Sequence, residues 1–203
     1  MKIAIDINDV YRDFTKRFGD VFTKEIDSTF ELDERGVFSA KLDEVFPFST
    51  REEYITFRYE DYAYELYCRC ELCDKNLMVR LNRWMTHTLD NLDTDEKCEV
   101  SVISCIEHGM TIPATMSFLA GNPLQCKEFY FPSPSDNVWD RYDVIITADP
   151  YVIDSKPEGK FCVKVNTSYN KDSEADLSYD SITEIIDNDD NELIKYMEGR
   201  NDE

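Results

Sequence analysis

The chain has 203 residues, 42% of them hydrophobic, and a formal net charge of −21 from 43 acidic and 22 basic side chains. That length suits one domain with an insertion, and that composition can fill a packed core. A field so negative repels polyanions, which argues against nucleic acid and anionic membranes as partners and fits a solvated surface or a basic protein partner.

In chain order, the first element is a short apolar strand over residues 2–7 that delivers Asp6 at its carboxyl end. A polar turn follows, then an amphipathic helix with Val10, Phe14, Phe18, Val21 and Phe22 at helical spacing. About eighty residues of different texture come next. Residues 30–48 are ambiguous, with a hairpin possible at Glu34-Arg35-Gly36. Ser49-Thr50-Arg51-Glu52 reads as a capping box before a helix carrying Tyr54, Phe57, Tyr62 and Leu66. Asp74 can cap a second helix with Leu77, Leu81, Trp84, Met85 and Thr88 on one face. These two helices are expected to pack on each other as the core of a subdomain.

Four further strands are read at 99–104, 125–131, 143–147 and 160–165, in the rhythm of parallel βαβ units. Thr111 can cap the helix after the second strand, Pro113 sits in its first turn, and Gly121-Asn122-Pro123 ends it. A helical turn is expected near 136–141, a short helix capped by Asp180 over 181–186, and a last acidic helix over 192–197.

No run is apolar enough to span a bilayer, and the N-terminus lacks a signal-peptide core, so the expectation is a cytoplasmic protein whose seven cysteines are reduced thiols. Cys68, Cys70 and Cys73 could begin a zinc site, with His87 the nearby histidine, but a fourth ligand at convincing spacing is missing.

A carboxylate at the carboxyl edge of a central strand is where open α/β sheets bind ligands. The segment Ile3–Phe14 resembles motif I of the haloacid dehalogenase-like superfamily, in particular the DxDGVxxDF form of its 5'(3')-deoxyribonucleotidase-type branch. Asp6, Val10, Asp13 and Phe14 fall on that pattern, and Asn8 replaces its second acid. The resemblance implies an α/β, Rossmann-like, five-stranded parallel sheet in the order 5-4-1-2-3. It also implies a mainly helical cap inserted after strand 1, with residues 1–14 and 97–203 as core and 15–96 as cap.

It further implies phosphoryl transfer through an aspartyl-phosphate on Asp6, beside a bound Mg²⁺. Ser104 takes the phosphate-binding position after the second strand, and His108 lies four residues beyond it. A lysine of the branch aligns with Asn137, and Lys127 or Arg141 could replace it only from elsewhere. Ala148-Asp149 stands where the branch has two acids. Mg²⁺ ligands would be Asp6, the Asn8 carbonyl, Asp149 and Asp154. Three positions thus depart from the pattern: Asn8, Asn137 and Ala148. Loss of an acid–base group alone is worth about 10²–10⁴ in rate. Two readings follow. One is a pseudoenzyme, a non-catalytic binding or assembly module with a protein partner, in a viral or other multiprotein complex. The other is a Mg²⁺-dependent phosphatase or 5'-nucleotidase acting on a small phosphorylated substrate, with Asp9 a poorly aimed substitute for the missing acid.

Overall fold

The structure, a computed structural model, describes residues 1–89, 97–187 and 192–199. The C-terminal edge of the expected insertion, 90–96, and the side chain of Thr88 lie outside the described residues. Six strands form one all-parallel sheet: β1 (Lys2–Asp6), β2 (Glu99–Ile103), β3 (Glu128–Tyr130), β4 (Val144–Thr147), β5 (Phe161–Val165) and β6 (Leu177–Tyr179). Their order is β3-β2-β1-β4-β5-β6. This is the expected 5-4-1-2-3 order, read from the other edge, with a sixth strand added outside β5. The sixth was missed because its three residues, Leu177-Ser178-Tyr179, sit at an edge and bury no full apolar stripe.

The helices are α1 (Phe14–Glu25), α2 (Leu42–Val45), α3 (Arg51–Thr56), α4 (Ala63–Cys68), α5 (Leu77–Arg83), α6 (Thr111–Gly121), α7 (Pro150–Asp154), α8 (Ile182–Ile186) and α9 (Glu192–Gly199). Wide π-helical turns, Phe57–Asp61 and Trp84–Thr88, follow α3 and α5. Among the described residues no helix is long and apolar enough to cross a membrane.

Parallel strands buried on both faces read as continuous apolar runs, and alternation decides which side chain goes where. Ile3, Ile5, Val100, Val102, Val144, Ile146 and Val163 point to one face. There they meet Phe118 of α6, Ile185 of α8 and Leu193 of α9. Ala4, Ile103, Ile145 and Cys162 point to the other, against Trp139, Tyr142, Val152 and Ile153. Val10 lies outside α1 and packs with the sheet.

The insertion has its own core of rings. Phe14, Phe18 and Phe22 of α1 meet Phe46, Tyr54, Phe57, Leu66 and Tyr67. The expected pairing of the two insertion helices is corrected here. Leu77, Leu81, Trp84 and Met85 pack with the sheet, not with Tyr54, Phe57 and Leu66. An amphipathic helix specifies a buried face but not the partner that buries it. Trp84 is buried in this position. Burial of each such side chain is worth roughly 1.5–3 kcal/mol.

Local signals were more specific. Thr50 caps α3 by accepting the Glu53 N–H at 3.0 Å, and Glu53 Oε2 accepts the Ser49 N–H at 2.6 Å. The Thr111 cap of α6 is a correction: Met110 occupies the cap position, Thr111 is the first helical residue, and its hydroxyl accepts the His108 N–H at 2.9 Å. The Asp180 cap of α8 is a correction: Ser181 occupies the cap position, and the Asp180 carboxylate accepts from Asn166 Nδ2. At residues 34–36 a turn forms with Gly36 at φ 63°, as only a turn and not a hairpin.

Candidate active site

The site lies at the carboxyl edge of the two central strands. β1 ends in Asp6, and the chain then makes a tight turn in which the Ile7 carbonyl accepts the N–H groups of both Tyr11 and Arg12, at 3.1 and 2.9 Å. Asp9 takes the left-handed conformation in this turn, φ 55°, which Asp tolerates better than bulkier residues. Its carboxylate accepts the Thr15 N–H at 2.8 Å and the Tyr169 hydroxyl at 2.7 Å. Asp9 therefore tethers the start of α1. Segments 11–13 and 71–73 run side by side: Asp13 N–H donates to the Glu71 carbonyl and Cys73 N–H to the Tyr11 carbonyl, both at 3.0 Å.

Asp6 is buried and accepts two hydrogen bonds, from the Asn8 N–H at 3.2 Å and from the Thr147 hydroxyl at 2.8 Å. Burial, then the neighbouring Asp149 carboxylate, pushes its carboxyl well above the usual range. Thr147, the last residue of β4, links the two acids, because its oxygen also accepts the Asp149 N–H at 3.0 Å. Asp149 is partly buried and caps α7 by accepting the Tyr151 N–H at 2.8 Å. Burial raises its carboxyl too, and the Arg58 guanidinium opposes that rise.

Asn8 does not face this pair with its side chain. Its Oδ1 accepts from Arg12 Nε at 2.9 Å and Nη2 at 2.7 Å, and its Nδ2 donates to Ser104 Oγ at 2.6 Å. Arg12 is wholly buried; Nη1 donates to the Tyr67 carbonyl and the Thr115 hydroxyl, and Nη2 forms an ion pair with buried Glu107. Asn8 Nδ2 also lies 3.5 Å from the same Glu107 oxygen. The amide is thus matched on both sides, oxygen to a cation and nitrogen to a hydroxyl and a carboxylate.

Of the residues singled out in the sequence, Asp6, Asn8, Ser104 and Asp149 come together. Ser104 is buried and turned toward Asn8. Asn137 lies in a neighbouring cleft of about 290 Å³ that Asp149 also lines, and its Oδ1 caps a 3₁₀ turn by accepting the Trp139 N–H at 3.1 Å. Asp154 is exposed at the far end of α7. Lys127 and Arg141 lie with Lys2 and Glu99 at the opposite, amino edge of the sheet, so neither replaces the lysine. His108 is exposed, its ring 4.0 Å from that of Tyr59.

A cavity of about 50 Å³ remains above Asp6, lined by Asn8, Asp9, Asp149, Tyr169 and Arg58 of the insertion. Through Asp9, Thr15 and Tyr169 it adjoins a groove of about 1060 Å³ along α1. Arg58 is 6% exposed; Nε donates to the Tyr67 hydroxyl at 2.8 Å and Nη1 to the Tyr54 hydroxyl. Thr147, Arg12, Glu107 and Arg58 were not singled out from sequence. Only Arg58 carried a signal: it stands four residues after Tyr54, on the buried face of an aromatic helix.

The donor set for Mg²⁺ is poor. Both Asp6 oxygens accept bonds within the protein, one Asp149 oxygen caps α7, and Asp154 is remote. Among the described residues no three Asp, Glu, His or Cys side chains group to hold a metal, and that includes Cys68, Cys70 and Cys73.

No family model matches the sequence, and no curated protein does. Among solved structures, a putative haloacid dehalogenase-like hydrolase from Burkholderia xenovorans LB400 is similar with a TM-score of 0.53 at 9% identity, over 92% of this chain and 94% of that one. The strand order, the central β1 carrying Asp6 and this likeness agree: the chain has the fold of a haloacid dehalogenase-like hydrolase.

Proposed function

We propose that this protein is a non-catalytic binding or assembly module built on that hydrolase fold, with residues 15–96 as its helical insertion. The observation that carries the reading is the fixation of Asn8. A general acid and base at this position must exchange a proton with the reacting group. Asn8 cannot, and its side chain is committed to Arg12, Ser104 and Glu107 beneath the cavity. The nucleotidase-type pattern supplies the reference for the other losses, at Asn137 and Ala148. A protein partner suits such a module, and the groove along α1 offers it a concave surface with Phe30, Leu32 and Phe46 among its walls. A reducing, cytoplasmic setting suits seven free thiols.

The competing reading is a Mg²⁺-dependent phosphatase or 5'-nucleotidase working through Asp6, and the convergence of Asp6, Thr147 and Asp149 favours it. The two separate in one assay, with p-nitrophenyl phosphate and nucleoside monophosphates, with and without Mg²⁺. The expected result is no steady-state turnover. Turnover that disappears in Asp6→Asn would replace the module with the phosphatase.

A further inference from the structure

One wall of the groove along α1 is a face of that helix on which Thr15, Gly19 and Thr23 recur every fourth residue. This face runs for about 12 Å at 1.5 Å per residue. Phe30, Leu32, Val37 and Phe46 supply the apolar lining. Leu32 is 45% exposed, and Ile26 and Phe38, close by in sequence, are exposed as well, so large apolar side chains gather on this surface. Gly19 has no task within the chain that alanine could not do. Glycine inside a helix is less stable than alanine. A Cβ there would touch, among the described residues, only the Phe46 ring at 3.5 Å, an ordinary contact. What a glycine adds at this point is room for a second backbone to come close to α1.

The groove is also acidic. Asp9, Asp13, Asp20 and Glu31 line it against Lys16 and Lys24, and each lysine is already paired, Lys16 with Asp20 at 3.0 Å and Lys24 with Glu25. Burial, then the Asp9 carboxylate, pushes the Asp13 carboxyl above its usual range, and a cation brought in from outside would relieve that strain between acids. Neither edge strand, β3 or β6, lines the groove, so an added strand has no backbone to pair with there. A second copy of the chain is disfavoured by the net charge of −21 on each. We propose that this groove binds an amphipathic helix of a basic protein partner, with its apolar face on Phe30, Leu32 and Phe46, its backbone close to Gly19, and its lysines or arginines facing Asp9, Asp13 and Glu31. The inference rests on the non-catalytic reading and gives that module's partner a chemistry.

The test is selection against the whole protein from a phage-displayed library of helices about four turns long, randomised on every face. The selected peptides should be basic and amphipathic, and nuclear magnetic resonance should place the tightest of them on α1 and residues 28–37. Gly19→Leu, which fills the groove, should weaken that peptide by about tenfold or more. Asp13→Asn should weaken it by about twofold to fivefold and flatten its salt dependence. Gly19→Ala separates recognition from stability: it should raise the melting temperature and still weaken the peptide by about threefold. Circular dichroism and a thermal melt establish that each variant is folded, and Leu32→Glu, at an exposed position, serves as a second block should Gly19→Leu not fold. Acidic or non-amphipathic winners, binding elsewhere on the protein, unchanged affinity in the folded groove variants, or no groove binder in the library overturns the inference. So does self-association through the groove, seen by analytical ultracentrifugation and lost in Leu32→Glu. Each of those results leaves the module reading intact, whereas phosphatase turnover that depends on Asp6 removes the module reading itself.

Discussion

Two arginines are buried near the site, and they are buried differently. Arg12, on the turn after β1, meets a carboxylate, an amide, a hydroxyl and a main-chain carbonyl, so its charge and its donors are satisfied. Arg58, between α3 and α4, donates to two phenols and lies against the rings of Phe14 and Tyr59. The first is fastened by an ion pair, and the second is held by phenol hydroxyls and ring faces. Burial alone therefore does not assign a role to an arginine; the partner set does.

The largest effect should come from setting the two against each other by the same substitution. Arg12→Met leaves Glu107 as a buried carboxylate without its cation and should cost about 3–5 kcal/mol. Arg58→Met orphans no ion-paired carboxylate and should cost about 1–3 kcal/mol, the range for buried polar groups that lose a partner. Urea unfolding of both variants measures this, and equal losses would erase the distinction.

Next in size is Asn8→Asp, the substitution that restores the acid of the superfamily pattern. It would set a second carboxylate beside Glu107 in place of a donor and divide Arg12 between two acids. A loss of about 1–3 kcal/mol is expected, with no phosphatase activity gained. A variant as stable as wild type would mean that Asn8 is not fixed by this network. Rebuilding the site further by Asn137→Lys and Ala148→Asp loses its rationale. Asn137 faces a different cleft, and Ala148 is wholly buried, where a carboxylate would have no partner.

The smallest effect is a gain. The raised carboxyl of Asp6 means that ionising it disfavours the folded state. With the folded value above the unfolded one, its contribution is fully favourable below about pH 4 and is lost as pH rises through the folded value. Asp6→Asn should therefore raise the melting temperature at neutral pH by about 2 °C or more, with the gain shrinking toward pH 4. A gain independent of pH, or a loss at pH 7, would contradict the burial of an ionisable Asp6.

Much of the fold was legible because its signals were local or periodic. The apolar run ending in Asp6, the Thr50 cap and the α6 boundaries each follow from a few neighbouring residues. The partner of α5 was not legible, since its apolar face fits a ring cluster as well as a sheet. In the site, Asp6, Asn8, Ser104 and Asp149 could be read by position after a strand. Glu107 and Arg12 could not, because a charged residue is ordinarily a solvated one and only the fold brings this pair together, 95 positions apart. Asn137, read by order as the position of a lost lysine, has a local task that order did not show: its side chain caps the start of a 3₁₀ turn.

Arg12 belongs to two structures at once. It holds Asn8 in the core, and it lies in the turn that pairs with segment 71–73, from which it also reaches the Tyr67 carbonyl at 2.8 Å. That bond holds the end of α4 against the turn after β1, and releasing it disturbs the bed on which Asn8 rests. α4 and the polar bed of the site are thus tied through one side chain, so that local unfolding of either should disturb the other.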